Sequence, residues 1–184
     1  MSRVLLDPDA VSRGLRRVAG EIVERHRGTD DLVLVAVRRG GIGVARQLAR
    51  WIQELEGHDV AFGTVDITLY RDDAATALPN PRIGPSQIPR SLDGTRVVLV
   101  DDVVFTGRTV RAAIDALMDY GRPRRIELAA LVDRGGRELP IRADYVVRTA
   151  EIAPNLRVDV IDDEDGLRAL VVPATSPSSA PGPA

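Results

Sequence analysis

The chain has 184 residues, 44% hydrophobic and 28% charged, with 25 basic and 27 acidic side chains and a net charge of −2. That composition suits one globular domain with a sizeable core and carries no global pull toward nucleic acid or membrane. Cysteine is absent, which excludes disulfides, thiol nucleophiles and zinc–thiolate sites. Neither a charged-then-apolar leader nor an apolar run of membrane-spanning length stands out, so a cytoplasmic location is expected.

Asp7-Pro8-Asp9 marks a helix start, with proline tolerated in the first turn. Val11, Leu15, Val18, Ile22 and Val23 then recur at helical spacing. The opposite face carries Arg13, Arg16, Arg17, Arg25 and Arg27, relieved by Glu21 and Glu24. A solvated surface is the ordinary reading of such a pattern, and a surface for a polyanion is the functional one. Leu32 to Val37 has the continuous apolar character of a strand buried on both faces. Arg38, Arg39, Gly40 and Gly41 follow, and then a helix whose stripe is Val44, Leu48, Trp51, Ile52 and Leu55, ended by Gly57. Gly41 and Gly43 begin a dinucleotide-binding fingerprint, but Arg46 stands at its third glycine, where helix and strand must pack closely. The rival reading is a glycine loop with two arginines that grips a pyrophosphate.

Val60 to Tyr70 alternates as a strand should. Arg71 to Arg90 has no periodicity, and a loop that long within a domain suggests a mobile lid. The next strand, Val97 to Val100, runs into Asp101 and Asp102, then Val103, Val104, Phe105, Thr106, Gly107, Arg108 and Thr109, and a helix from about Val110 to Tyr120. Paired carboxylates at a strand's carboxyl end can accept hydrogen bonds from two neighbouring ribose hydroxyls. The Thr-Gly-Arg-Thr turn presents N–H groups at a helix N-terminus, where an anion is favoured. Ile126 to Val132 is a further strand leading into Asp133 and Arg134. Strands are also expected near Ala143 to Val147, Leu156 to Ile161 and Ala169 to Val172. Residues 173–184 form a Pro/Ser/Ala tail expected to be disordered, leaving 1–172 as the domain. Three strands thus deliver polar motifs at their carboxyl ends, where open α/β sheets bind ligands.

The run V-L-V-D-D-V-V-F-T-G-R-T resembles the phosphoribosyl-pyrophosphate (PRPP) signature of the type I phosphoribosyltransferases. D-I-T-L-Y-R-D-D at Asp66, D-Y-G-R-P at Asp119 and L-V-D-R-G-G-R-E-L-P-I-R-A-D-Y at Leu131 are similar to one group within them. That group is the bacterial pyrimidine-operon attenuation regulators, which double as uracil phosphoribosyltransferases. The chain differs from the group's usual pattern in the Arg38-Arg39-Gly40-Gly41 loop, at Gly136, at Val147 to Thr149, and at Arg16 and Gly20 of the first helix. The resemblance covers roughly Val4 to Val172.

It implies an α/β single-domain type I phosphoribosyltransferase fold, with a mostly parallel sheet flanked by helices, a mobile loop and a small hood. It implies PRPP, uracil and UMP or UTP as ligands, Mg²⁺ held mainly by PRPP, a leader mRNA hairpin as partner, and a homo-oligomer (dimer or tetramer). Catalysis would fall to Asp101, Asp102 and Arg39. Arg38, Gly40 and Gly41 would hold pyrophosphate, Val103 to Thr109 the phosphoribosyl group, and Val132, Asp133 and Arg134 the base. Arg16, Arg25, Arg137 and Arg148 would meet RNA. Phe105 stands where purine enzymes of this design place an acid, which favours a pyrimidine. The alternatives are a phosphoribosyltransferase of altered, purine-salvage base choice without an RNA role, and a nucleotide-sensing RNA-binding regulator with little catalysis.

Overall fold

The computed structural model describes residues 2–70 and 85–174. Its centre is a five-stranded parallel sheet in the order β3-β2-β4-β5-β6, formed by β2 (Leu32–Val37), β3 (Ala61–Val65), β4 (Arg96–Val104), β5 (Arg125–Asp133) and β6 (Tyr145–Thr149). Residues of β2 alternate between the two cores. Leu32, Leu34 and Ala36 pack under α1 (Pro8–His26) and α2 (Gly41–Glu56), and Val33, Val35 and Val37 under α3 (Arg108–Met118). Burial on both faces explains the unbroken apolar runs. A second, antiparallel sheet in the order β1-β8-β7 joins β1 (Arg3–Leu6) to the hairpin of β7 (Leu156–Asp163) and β8 (Gly166–Pro173). This small sheet is the expected hood.

The connections decide where a ligand can sit. From β2 the chain turns through α2 to β3 on one side, then crosses to β4 on the other and continues outward through β5 and β6. The switch point therefore falls between the carboxyl ends of β2 and β4. Pairing of β2 with β4 ends at Ala36 and Val100, whereas β4 continues beside β5 to the Val104–Asp133 pair. Asp101 to Val104 thus stands free of β2 on that flank, beside the Arg38–Gly41 turn.

Several boundaries differ from expectation. β1 has no sequence signal of its own. β3 stops at Val65, because the Asp66 side chain accepts from the N–H of Thr68 at 2.8 Å and folds the following residues into a turn. Leu55, assigned to the α2 stripe, is exposed on the last turn. β8 runs through Pro173, so the first residue of the expected tail belongs to the small sheet. The remainder of that tail, 175–184, and the greater part of the expected lid, 71–84, lie outside the described residues. The described end of the lid segment returns along β3, where Gln87 exchanges two 2.8 Å hydrogen bonds with Thr64.

A polar cluster lies at the opposite end of the sheet. His26 at the end of α1 meets the buried Glu127 carboxylate at 2.6 Å, and the Tyr145 hydroxyl donates to the same oxygen at 2.9 Å. Arg25 and Arg125 approach the second Glu127 oxygen at 3.4 and 2.8 Å. Burial would raise the Glu127 carboxyl, but the hydrogen bonds from Tyr145 and His26 and the Arg25 charge outweigh it and hold it below the usual range. Burial and the bond to Glu127 push the Tyr145 hydroxyl up to about 12.

Candidate functional site

At the switch point lies a cavity of about 340 Å³ lined by residues of three loops, among them Arg38, Arg39, Gly40, Asp66, Asp101, Asp102 and Thr109. The loops come together because α2 starts directly against β4. A β-carbon on Gly41 would strike the carbonyl of Val100, and one on Gly40 would strike the Asp102 carboxylate. The two glycines let the arginine turn sit on the acid pair. The Arg38–Arg39 peptide is cis. Arg38 donates to the Pro85 carbonyl at 2.9 Å, while Arg39 is exposed.

Asp101 is buried, and its carboxylate accepts from the N–H of Asp102 at 3.0 Å; that of Asp102 accepts from the N–H of Val103 at 2.8 Å. Burial, and then the neighbouring Asp102 charge, push the Asp101 carboxyl well up. Burial also raises Asp102, with the Asp159 carboxylate of β7 adding repulsion. Two crowded carboxylates of this kind form a site that a cation or a developing positive charge relieves.

Helix ends supply the opposite sign. α1 is capped by Asp7, whose side chain accepts from Ala10 at 2.7 Å, and has Asp9 in its first turn. α2 and α3 both begin at the site, with neither a side-chain cap nor an acid in the first turn. The positive ends of both helix dipoles therefore favour an anion, although the N–H groups of Ile42 and Arg108 already donate to the Arg39 carbonyl and the Thr106 hydroxyl at 3.3 Å. Gly107 before α3 has φ +92°, which a side chain would disfavour.

The proposed base-binding residues lie on the β5 side and do not line the cavity. Phe105 is 44% exposed, and Arg134 stacks over its ring at 4.1 Å. Arg134 is buried, donates to the Leu156 carbonyl at 3.1 Å and keeps an unpartnered Nε. Val132 is buried in β5, and Asp133 accepts from the N–H of Gly135 at 3.0 Å. Asp66 and Thr68 line the cavity although the sequence assigns them no role; the D-I-T-L-Y-R-D-D resemblance and the Asp-x-Thr turn are the signals that point to them.

The four arginines expected to meet RNA are scattered. Arg16 lies over the Trp51 ring at 5.3 Å. Arg25 stacks on Tyr145 at 5.6 Å and pairs with Glu127 and Asp144. Arg148 is exposed within β6, paired with Val132 one residue before the β5–β6 pairing ends at Thr149, and Arg137 turns inward. Exposed basic charge on α1 and its C-cap falls at Arg13, Arg16, Arg17, Arg25 and Arg27, with Arg17 bound to Glu21 and Arg25 paired as above.

A parallel sheet with an acid pair and an anion-binding turn at its switch point defines a phosphoribosyltransferase, and a family model described as a phosphoribosyl transferase domain matches residues 4–161. Among solved structures, the hypoxanthine phosphoribosyltransferase of Trypanosoma cruzi shares the fold, with a TM-score of 0.67 at 21% identity over 91% of this chain and 95% of that one. The Bifunctional protein PyrR of Pelotomaculum thermopropionicum is 50% identical over 94% of this chain and 96% of its own. That of Geobacter sulfurreducens is 54% identical over 87% of this chain and 90% of its own. The chain belongs to this family of phosphoribosyltransferases, the bifunctional PyrR proteins.

Proposed function

We propose that this protein transfers the phosphoribosyl group of PRPP to uracil, giving UMP and pyrophosphate. Loaded with UMP or UTP, it binds a leader-mRNA hairpin and so attenuates pyrimidine-biosynthesis genes. The observation that carries the transferase reading is the meeting of Asp101 and Asp102 with Arg38 to Gly41 and Thr109 around one cavity, at two uncapped helix N-termini.

In this reading Asp101 and Asp102 accept hydrogen bonds from the ribose hydroxyls. Thr106 to Thr109 receive the 5′-phosphate, and Arg38, Arg39, Gly40 and Gly41 hold the pyrophosphate. The C1–O bond loosens, its electrons go to the departing pyrophosphate, and N1 of uracil bonds to C1 from the opposite face as its N1–H breaks and the proton passes to the pyrophosphate or to solvent. The positive charge that builds on the ribose is what the buried acid pair is suited to stabilise. Among the described residues no three His, Asp or Glu side chains gather as a metal cage. Two crowded carboxylates fit a divalent cation that brings its other ligands from substrate. Held against Asp101 and Asp102 in that way, Mg²⁺ would supply charge neutralisation for the leaving pyrophosphate. The protein's own share is positioning and electrostatics.

Phe105 can pack on a base but cannot exchange a proton with a purine ring nitrogen, which disfavours a purine and supports uracil as the base. We place the protein in the cytoplasm with its nucleotides and mRNA, as a dimer or tetramer; no described helix is long and apolar enough to cross a membrane. The test is a base panel with PRPP and Mg²⁺, in which uracil reacts fastest. Faster turnover of hypoxanthine or guanine overturns the base assignment. Retention of a leader hairpin with UMP, and not of a scrambled one, tests the regulatory half.

A further inference from the structure

Arg137 stands between β5 and β6, and the sequence resemblance places it on the RNA face. Its side chain is only 21% exposed, and the guanidinium is spent inside the protein. One terminal nitrogen donates to the Asp133 carboxylate at 2.6 Å, the other to the carbonyls of Phe105 at 2.6 Å and Gly135 at 3.4 Å, and Nε to the carbonyl of Ile141 at 2.9 Å. It therefore joins the base-side loop to Phe105, the residue just before the phosphate turn.

The joint has a directional consequence. In a trans peptide the C=O of one residue and the N–H of the next point opposite ways. With the Phe105 carbonyl drawn to Arg137, the N–H of Thr106 faces away from the 133–141 segment. The Thr106 carbonyl is held in turn by the N–H groups of Glu138 and Leu139, at 3.0 and 3.2 Å, so the N–H of Gly107 is turned away as well. Among the described residues neither N–H has a hydrogen-bond partner. Two successive unpaired N–H groups just ahead of an uncapped helix make an anion nest.

We propose that Arg137 is a positioning residue for the 5′-phosphate: by holding the Phe105 carbonyl outward it keeps the phosphate-turn N–H groups facing the ligand. The inference rests on the reading of Thr106 to Thr109 as the phosphate turn. A charge-assisted, multiply bonded guanidinium is not replaceable by an ammonium, which lacks the planar fork.

The experiment measures UMP affinity by calorimetry, and steady-state KM values for PRPP and uracil, on the full chain as wild type, R137A and R137K, well below each melting temperature. R137A is expected to weaken UMP and raise KM for PRPP by about tenfold or more. KM for uracil, which has no phosphate, should stay within about twofold of wild type. R137K recovers only part of the loss, and carries the same KM split should R137A not fold. Equal UMP affinity in wild type and variants overturns the inference alone. So does a parallel rise of both KM values, which marks a merely structural role. A wild type that binds neither UMP nor PRPP overturns the phosphate-turn reading and this inference together.

Discussion

The Asp102 carboxylate occupies the space that a β-carbon on Gly40 would need. Gly40 has φ −63°, so alanine there meets no backbone strain, and the obstacle is the end of a side chain that can swing aside. The fold should tolerate Gly40→Ala while the carboxylate leaves its place. Expected is a loss of about 10²-fold in kcat/KM for PRPP, from displacement of a reacting group by about 1 Å, with less than about 1 kcal/mol lost in a thermal melt. A variant with wild-type kinetics would show that the carboxylate's position is immaterial.

Asp101→Asn should separate stability from activity. Burial and the Asp102 charge raise the Asp101 carboxyl, so the folded chain holds that proton more tightly than the unfolded one. Stability then falls as pH rises from the unfolded value of about 3.9 toward the raised folded one, a cost that grows with pH over that window. The neutral amide removes that cost. The variant should melt higher than wild type at pH 7, by about 2–4 °C for each kcal/mol recovered, and the gap should close toward pH 4. Its turnover should drop sharply, since the acid pair would no longer be intact.

The Glu127 cluster behaves oppositely. Its carboxyl is held below the usual range, so it contributes stability above the unfolded value of about 4.3, lost as pH falls through the depressed folded one. Glu127→Ala would strand His26 and the Tyr145 hydroxyl without their shared acceptor. A cost of about 3–5 kcal/mol is expected, a fall of about 10 °C in Tm. The acid-side fall of the melt, below about pH 5, should flatten.

Arginines on α1 give a prediction about RNA. Among the described residues Arg16 rests on Trp51, whereas Arg25, stacked on Tyr145, also braces Glu127 and Asp144. Arg16→Ala should lower hairpin affinity and reduce the log–log salt slope by about 0.7 to 0.9 for one lost phosphate contact, with Tm unchanged. Arg25→Ala should lower Tm as well. A salt series of filter binding on cognate and scrambled hairpins, beside thermal melts, checks both; unaltered RNA binding in Arg16→Ala would make that helix face a solvated one.

How much of this was legible beforehand depended on how local each cause is. Leu32 to Val37 is read directly, because a strand buried on both faces must be apolar at every position. The Asp101 to Thr109 segment is read because strand, acids and turn are contiguous. β1 is silent: four residues, two of them exposed at the start, become a strand only by pairing with β8, some 165 positions away in the Arg3↔Val171 and Leu6↔Ala169 register. The inward turn of Arg137 is silent too, since three of its acceptors are backbone carbonyls, which every residue type carries. Arg25 could be seen as basic, but Glu127 and Asp144 reach it only through tertiary folding.

The small sheet takes one strand from the beginning of the chain and two from its far end. A ribosome must therefore release Pro173 before β1 acquires its neighbour, and the edge of β1 stays unsatisfied throughout synthesis. The five parallel strands are complete by Thr149, so the phosphate and pyrophosphate loops can assemble on a nascent chain while Asp159 and the rest of the hood are still unmade. A message cut short between codons 150 and 155 would yield a chain with its acid pair in place and no cover over it.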